Sequence, residues 1–185
     1  VIQVTIGGNN VYENVEIDYR MSSLKAKDIL AILNGEKSET LPTVIESTEN
    51  DNLFVFWSGH GVPGAMCWDE EPYAMTGDDL STVFKDMNLK RRYRKLLMMV
   101  EACFSGGVME QCEGIPGMLF ITAANGDETS KADVFNGEMK VWMSNRFTST
   151  FIEQITDNKD VAMRDLYYRL FINTVGSHVM VYNAE

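Results

Sequence analysis

The sequence predicts an α/β fold in which helices cover both faces of a mostly parallel central sheet. Two continuous apolar runs, at residues 53–57 and 96–100, have the length and composition of strands buried on both faces of such a sheet. Segments with apolar residues at helical spacing alternate with strand-like segments, which is the order typical of layered α/β proteins. Both apolar runs end in glycine-rich turns, and open α/β sheets place their reactive groups just past the carboxyl ends of such strands.

The first fifty residues predict a strand pair, one helix and a loop. Alternating apolar and polar residues before a Gly-Gly-Asn-Asn turn favour a hairpin, and Ser22 and Ser23 are candidate N-caps for the helix that follows. An Asn-Gly pair ends that helix, and a polar, proline-containing stretch predicts a loop after it. The elements are a strand over residues 2–6, a return strand from residues 11–12, a helix over 24–33 and a loop over 36–51.

The rest of the chain alternates strands and helices. Thr76 followed by Asp79 resembles a capping box for a helix whose apolar residues recur at helical spacing as far as Met87. The predicted elements are a strand over 52–57, a hairpin-like stretch at 65–72, a helix over about 76–87, strands over 96–101 and 118–123, a long loop over 124–144, helices over 146–156 and 161–173, and a last strand over 178–182.

Size and charge narrow the classes of protein to which the chain can belong. Its 185 residues suit a single domain with a sizeable core, and its 45% hydrophobic and 23% charged residues are ordinary for a soluble globular protein. The net charge of −11 argues against nucleic acid and anionic membrane surfaces as partners. Since no apolar run approaches the roughly 20 residues that cross a bilayer, we expect no membrane span in this chain.

The cysteines do not form a disulfide framework or a metal motif. The chain has 3 of them, an odd number that excludes complete pairing. Cys67 lies in the hairpin-like stretch and is expected to be a small buried apolar residue, while Cys112 falls in a predicted loop. No CxxC or Cys/His spacing indicates zinc, so no metal is expected.

Cys103 and His60 follow the two apolar runs and are the candidate catalytic residues. His60 lies in a Ser-Gly-His-Gly turn and Cys103 in an Ala-Cys-Phe-Ser-Gly-Gly turn. A thiol and an imidazole at one rim of a sheet are the minimal set for thiolate nucleophilic catalysis, because the imidazole shuttles the thiol proton. The flanking glycines let backbone N–H groups point into the site, where they can hold an oxyanion.

Two features near these residues have other interpretations. The second of the chain's 2 histidines, His178, lies in the predicted terminal strand, where we expect a structural role. Residues 59–64 satisfy the pattern G-x-G-x-x-G, but a dinucleotide site needs a helix that opens directly after it. Because a hairpin-like stretch follows instead, no nucleotide cofactor is expected.

An ordered set of motifs resembles one known family. The segments FVFWSGHG and LLMMVEACFSGG are similar to the two catalytic signatures of legumain-type cysteine peptidases, the asparaginyl endopeptidases of the caspase-like clan. Further matches follow in order at ITAAN, at ETS and at SHVM near the end of the chain. The resemblance implies a caspase-like α/β/α sandwich. It also implies that residues 1–185 are a single catalytic domain lacking an N-terminal strand, helix and strand.

The resemblance also implies roles for individual residues. The reaction would be peptide-bond hydrolysis through a thioester, with an oxyanion hole made by the backbone N–H groups of Gly61 and Cys103. Glu101, Ser130 and Asn145 occupy the positions that recognise the side chain before the scissile bond. The family has an acidic residue in place of Asn145, so the implied preference is for Asn with broader tolerance.

Partners and location follow from the same resemblance. It implies a peptide or protein substrate, no cofactor, synthesis as a zymogen, and a secreted, periplasmic or lysosome- or vacuole-like location. The protein's own N-terminal segment, as a separate chain, is a further expected partner. Two alternatives stay open: a transamidase or peptide ligase of the same family, and a non-catalytic caspase-like binding domain.

Overall fold

The structure, a computed structural model, describes residues 14–68 and 71–184. The predicted strands at residues 2–6 and 11–12 lie outside the described residues. The strands are β1 (Asn52–Ser58), β2 (Gly61–Val62), β3 (Ala65–Trp68), β4 (Glu71–Thr76), β5 (Lys95–Glu101), β6 (Met118–Thr122), β7 (Ala132–Asn136), β8 (Val141–Asn145) and β9 (Met180–Tyr182). The helices are α1 (Ala26–Asn34), α2 (Gly77–Leu89), α3 (Ser105–Met109), α4 (Arg146–Asp157) and α5 (Met163–Asn173), with 3₁₀ turns at Met21–Ser23 and Glu110–Cys112.

The central sheet has the strand order β1-β5-β6-β9. β1 pairs with β5 and β5 with β6 in parallel, while β9 runs antiparallel to β6. The pairing places Ser58 opposite Glu101, so β1 and β5 end at the same edge of the sheet. The prediction of an α/β fold with a mostly parallel central sheet is confirmed.

Helices cover both faces of the sheet, which explains why its strands are continuously apolar. On one face, Met98 and Val100 of β5 join a core that includes Leu80 and Phe84 of α2. On the other face, Met99 packs in a second core with residues of α4 and α5. Successive side chains of a strand point to opposite faces, so most positions of a strand covered on both sides are apolar.

A small antiparallel sheet follows the His60 turn. β2 pairs with β3 and β3 with β4, and the next helix begins only at Gly77. The hairpin-like stretch is therefore confirmed. The chain after residues 59–64 differs from a dinucleotide site, in which a helix opens directly behind the glycine pattern.

The prediction of a long loop over residues 124–144 is wrong in its second half. That part forms the antiparallel hairpin β7–β8, in which Phe135 pairs with Trp142 and their ring centroids lie 5.1 Å apart. Cross-strand aromatic pairs stabilise short strands whose sequence carries little alternation. The polar and charged residues around this pair conceal the strand pattern.

Two smaller predictions also need correction. Ser22 and Ser23 do not cap α1 but lie in the 3₁₀ turn Met21–Ser23; the N-cap is Lys25, whose backbone N–H donates to Asp28 Oδ2 at 2.8 Å. The last strand is shorter than predicted, so His178 precedes β9 instead of lying within it. The ends of helices and strands are defined only to within one or two residues, and sequence patterns locate them poorly.

No helix in the described ranges is long and apolar enough to cross a membrane. Over the same residues, no group of three or more His, Cys, Asp and Glu side chains is arranged to hold a metal ion.

The capping box predicted at the start of α2 is present. Thr76 Oγ1 accepts the backbone N–H of Asp79 at 3.2 Å, and Asp79 Oδ2 accepts the backbone N–H of Thr76 at 3.0 Å. These bonds satisfy N–H groups that have no partner inside a helix.

We therefore expect Thr76→Ala to lower the free energy of unfolding by about 1 kcal/mol, because an N-cap hydroxyl is lost. Urea denaturation followed by circular dichroism measures this difference. The matched control is Thr82→Ala, at an exposed position inside α2, where the higher helix propensity of alanine should raise the free energy of unfolding by about 0.5 kcal/mol. Equal effects of the two substitutions would contradict a specific capping role.

Candidate active site

The Cys103 turn departs sharply from the end of β5. Phe104, directly after the cysteine, has a left-handed backbone with φ of 56°. This conformation is uncommon for a bulky residue and persists only where the surroundings enforce it. Here the Phe104 N–H donates to the carbonyl oxygen of Glu128 at 2.8 Å. The turn is therefore fixed from outside, by the loop that follows β6.

The glycines after Cys103 permit close packing against that same loop. A Cβ on Gly106 would lie 2.8 Å from the backbone of Asn125, which is too close for any side chain. The Gly106 N–H donates to Ala124 O at 3.0 Å. This N–H group is therefore occupied by a carbonyl oxygen of the loop that follows β6.

The His60 turn lies against the Cys103 turn because β1 and β5 are paired in register. A Cβ on Gly61 would overlap the carbonyl oxygen of Cys103, so the two backbones are in direct contact. His60 itself is exposed, and within the described residues its ring makes no hydrogen bond to the Cys103 thiol. The structure thus brings the two turns together and leaves the ring open to solvent.

The Cys103 thiol is half-buried and contacts the hydroxyl of Ser130. The Sγ and Oγ atoms lie 3.8 Å apart. Ser130 comes from the segment between β6 and β7, which also supplies the Glu128 carbonyl that holds Phe104. One segment therefore supports the backbone of the cysteine turn and also contacts its side chain.

Glu101, at the end of β5, is a buried carboxylate with 1% of its surface exposed. Its Oε2 atom accepts the backbone N–H and the hydroxyl of Thr148, both at 2.9 Å. Burial raises the pKa of the Glu101 carboxyl, while the hydrogen bonds from Thr148 and the proximity of the Ser130 hydroxyl oppose that rise. The other oxygen, Oε1, is buried and has no hydrogen-bond partner in the described part of the chain.

Asn145 is the N-cap residue of α4, although its side chain makes no capping hydrogen bond. It pairs with Ala132 at the base of the β7–β8 hairpin, and the N–H of Arg146 donates to Lys131 O at 2.8 Å. This pairing brings Asn145 close in space to the Ser130 segment. Glu101, Ser130 and Asn145 thus converge on the start of α4, although they are far apart in sequence.

Glu128 and His178 form a clamp that no local signal in the sequence indicates. The His178 Nδ1 atom lies 2.9 Å from Glu128 Oε2, and Glu128 Oε1 accepts the N–H groups of His178 and Asn125. Partial burial raises the pKa of the Glu128 carboxyl, but the bonds from His178 and Asn125 outweigh it and leave that pKa below its ordinary value. The pair joins the segment before β9 to the one that supports Cys103.

The other two cysteines differ from their predicted environments. Cys67 is half-buried instead of buried, and its backbone N–H donates to His60 O at 2.9 Å. Cys112 lies in a 3₁₀ turn instead of a loop and is fully buried, and burial raises the pKa of its thiol to about 12. Burial, with a smaller contribution from Cys103, also raises the pKa of Cys67.

A groove of about 890 Å³ lies at the other end of the sheet. Its lining includes Asn52 and Lys95, the first residues of β1 and β5, and Tyr167 of α5. Neither Cys103 nor His60 lines it. The thiol and imidazole are therefore at the carboxyl edge of the sheet, and this groove is separate from them.

The chain is similar to several known proteins. A family model described as the Peptidase C13 family matches residues 1–185. Legumain of Rattus norvegicus is 28% identical over 185 aligned residues, which cover 96% of this chain and 42% of that protein. The GPI-anchor transamidase of Saccharomyces cerevisiae is 25% identical over 174 residues, covering 91% of this chain and 42% of that protein. The chain therefore spans less than half the length of these relatives.

Among solved structures, caspase-1 of Spodoptera frugiperda resembles the fold with a TM-score of 0.59 and 12% sequence identity, over 86% of this chain and 68% of that one. At this identity the likeness concerns the fold alone. It confirms the expected caspase-like architecture, and the family match confirms the resemblance found in the motifs.

The contact between Gly61 and Cys103 predicts a sharp difference between two glycines of one turn. Gly61→Ala should slow alkylation of Cys103 by iodoacetamide and lower the free energy of unfolding by about 1–3 kcal/mol, because the new methyl group forces the two backbones apart. Mass spectrometry of the labelled protein and thermal unfolding measure the two effects.

Gly59→Ala is the matched control, since its Cβ would lie 3.4 Å from Trp57 in ordinary contact. It should change the free energy of unfolding by no more than about 0.5–1 kcal/mol. If Gly61→Ala behaves like Gly59→Ala, the contact between the two turns does not constrain the cysteine.

Proposed function

Because the chain belongs to the Peptidase C13 family, a family of cysteine peptidases, we propose that it provides the catalytic centre of a cysteine endopeptidase. Cys103 is the nucleophile and His60 the base and acid. The observation that carries this proposal is the parallel, in-register pairing of β1 with β5, which ends both strands at one edge. The backbone contact between Gly61 and Cys103 supports it further.

The proposed reaction proceeds in two steps. The Cys103 sulfur attacks the carbonyl carbon of the scissile peptide bond, and His60 takes the thiol proton and returns it to the leaving amine. Water then attacks the resulting thioester, which releases the acid product and restores the thiol. His60 is exposed beside the Cys103 turn, and exposed side chains change rotamer within picoseconds to nanoseconds, so its ring is free to reorient.

The proposed oxyanion hole consists of the N–H groups of Gly61 and Cys103. Both belong to turns at the carboxyl edge of the sheet, and the contact between them fixes their relative positions. A single donor of this kind contributes about 3 kcal/mol to transition-state stabilisation. Within α3, the Gly106 N–H already donates to Ala124 O. This supports an oxyanion hole made of N–H groups that precede α3.

The proposed specificity pocket comprises Glu101, Ser130 and Asn145. Ser130 lies beside the nucleophile, and Thr148 of the first turn of α4 links Glu101 to the helix that Asn145 caps. A carboxylate oxygen accepts a hydrogen bond from a side-chain amide, and a hydroxyl or an amide donates or accepts as required. This set favours Asn before the scissile bond. Because Asn145 is uncharged, an Asp side chain meets less repulsion than it would beside a second carboxylate.

A transamidase is the second candidate, because the yeast relative carries that name and matches most of this chain. The same thioester would then be attacked by an amine in place of water. A peptide substrate offered with and without an added amine nucleophile separates the two, since hydrolysis gives a free acid and transamidation gives a new amide. A product of neither kind would favour a non-catalytic binding domain.

We also propose a location outside the cytoplasm and a peptide or protein as substrate. The legumain resemblance supports the location, and the family supports the substrate class. Fractionation of cells expressing the whole protein tests the location.

The proposal predicts that Cys103→Ala, in the whole protein, lowers kcat for peptide hydrolysis by a factor on the order of 10⁴ or more and leaves the fold intact. Iodoacetamide should label Cys103 before Cys67 or Cys112, because burial raises the pKa of both other thiols. Peptide mapping by mass spectrometry gives the order of labelling. Full turnover by Cys103→Ala would exclude the mechanism.

A second prediction concerns specificity. Glu101→Ala should lower kcat/KM for substrates with Asn before the scissile bond by about tenfold to a hundredfold, and for Ala substrates much less, because a buried acceptor for the amide is lost. Asn145→Asp should sharpen the Asn preference. A peptide library varied at that position measures both.

The control in the same library is Glu101→Gln, which preserves shape but replaces the ionised acceptor. A dominant preference of the wild-type protein for Lys or Arg would contradict Asn recognition and keep Glu101 as an acidic selector. A preference for bulky apolar residues would contradict both assignments.

A further inference from the structure

We propose that Thr148 is a positioning residue that keeps Glu101 ionised and fixes which of its two oxygens faces a substrate. The role toward a substrate depends on the proposed function. The link between Thr148 and Glu101 depends only on the structure. Neither the sequence motifs nor the family resemblance assigns a role to Thr148.

The geometry of the contact indicates that Thr148 holds the Glu101 carboxylate in place. Thr148 presents two donors, its backbone N–H and its hydroxyl, to a single oxygen of Glu101, each at 2.9 Å. Since α4 begins at Arg146, Thr148 stands in the first turn, where backbone N–H groups have no partner inside the helix. The helix thus gains an acceptor for an otherwise unpaired donor, and the carboxylate gains the positive end of a helix dipole.

Glu101 needs this support because it is almost completely removed from water. A buried carboxyl group favours its neutral form, and burial is the largest influence on the pKa of Glu101. The hydrogen bonds from Thr148 act in the opposite direction and favour the ionised form. A neutral carboxylic acid would present a proton as well as an acceptor, and the pocket would no longer discriminate for an amide donor.

The two bonds to Oε2 also determine the orientation of the carboxylate. With Oε2 occupied twice, Oε1 is the oxygen that has no partner among the described residues, although it is fully buried. Buried polar atoms are satisfied in nearly all folded proteins, so this open acceptor takes a donor either from the nearby Ser130 hydroxyl or from a bound substrate. The donor class that fits the proposed pocket is the side-chain amide of a substrate.

Other charged groups nearby do not replace Thr148 in this role. β1 and β6, which flank β5 in the sheet, carry no titratable side chains within their described bounds. On α4, Arg146 is paired with Asp133 of β7 at 3.0 Å. Cys103 and His60 lie on the adjoining turns, and Lys131, next to Ser130, donates to Thr129 Oγ1 at 3.0 Å. Among the described residues Glu101 makes no ion pair, and Thr148 is the residue that donates to its Oε2.

The test compares Thr148→Val with Thr148→Ser in the whole protein. Valine matches the shape of threonine without the hydroxyl, and serine keeps the hydroxyl without the methyl group. Thr148→Val should lower kcat/KM for Asn substrates by about tenfold and move the acid limb of its pH profile upward by about one pH unit, because the pKa of Glu101 rises further. Thr148→Ser should restore both, and kcat/KM for Ala substrates should change little in either variant.

A stability measurement tests the link without any substrate. Because the folded-state pKa of Glu101 lies above its unfolded value, ionisation of Glu101 opposes folding, and the resulting loss of stability grows as the pH rises through the folded pKa. Thr148→Val raises that pKa further, so it should destabilise the protein more near pH 7 than near pH 5. In a Glu101→Gln background this dependence on pH should disappear.

The outcomes separate the two proposals. Equal destabilisation by Thr148→Val at both pH values, with an unmoved acid limb, would overturn the role of Thr148 and reduce it to packing. A wild-type protein without peptidase activity would overturn the proposed function, while the stability comparison would still decide whether Thr148 holds Glu101 ionised. If Thr148→Val does not fold, Thr148→Ala provides the same comparison with Thr148→Ser.

Discussion

The parallel pairing of β1 with β5 is the constraint on which the site depends. It runs in register from Asn52 opposite Lys95 to Ser58 opposite Glu101, so both chains leave the sheet at the same edge. The pairing is stabilised because β5 is buried on both faces, in one core with α2 and in another with α4 and α5, and partly buried side chains of β1 pack against each core. A shift by one residue would exchange the two faces and separate the turns, and this fixes the register strongly.

Burial at this edge has a cost that the structure offsets locally. Glu101 ends β5 in a position with almost no contact with water, where an ionised carboxyl is unfavourable. The first turn of α4 compensates through Thr148, and the same helix begins at Asn145, at the base of the β7–β8 hairpin. The geometry of the candidate pocket therefore depends on how α4 packs against the sheet as well as on the pocket residues themselves.

The segment between β6 and β7 is the second support of the site. Its Glu128 carbonyl holds the left-handed Phe104, its Ser130 hydroxyl approaches the Cys103 thiol, and its Glu128 carboxylate is clamped by His178. Strained backbone beside a candidate nucleophile is typical of sites in which packing over-determines the conformation. His178 precedes β9 instead of lying within it, and it contacts Glu128 through both its ring and its backbone N–H.

The sequence alone determined the layered fold, the order of most elements and the two turns that carry Cys103 and His60, because continuous apolar runs and glycine-rich turns are local signals. It identified Glu101 and Asn145 only through the family resemblance, and it did not find the β7–β8 hairpin, Thr148 or the Glu128–His178 clamp. Those features depend on contacts between residues far apart in the chain, such as the 47 positions that separate Glu101 from Thr148. The direction of a buried hydrogen bond is set when helices and sheet pack together, and so only the tertiary structure decided it.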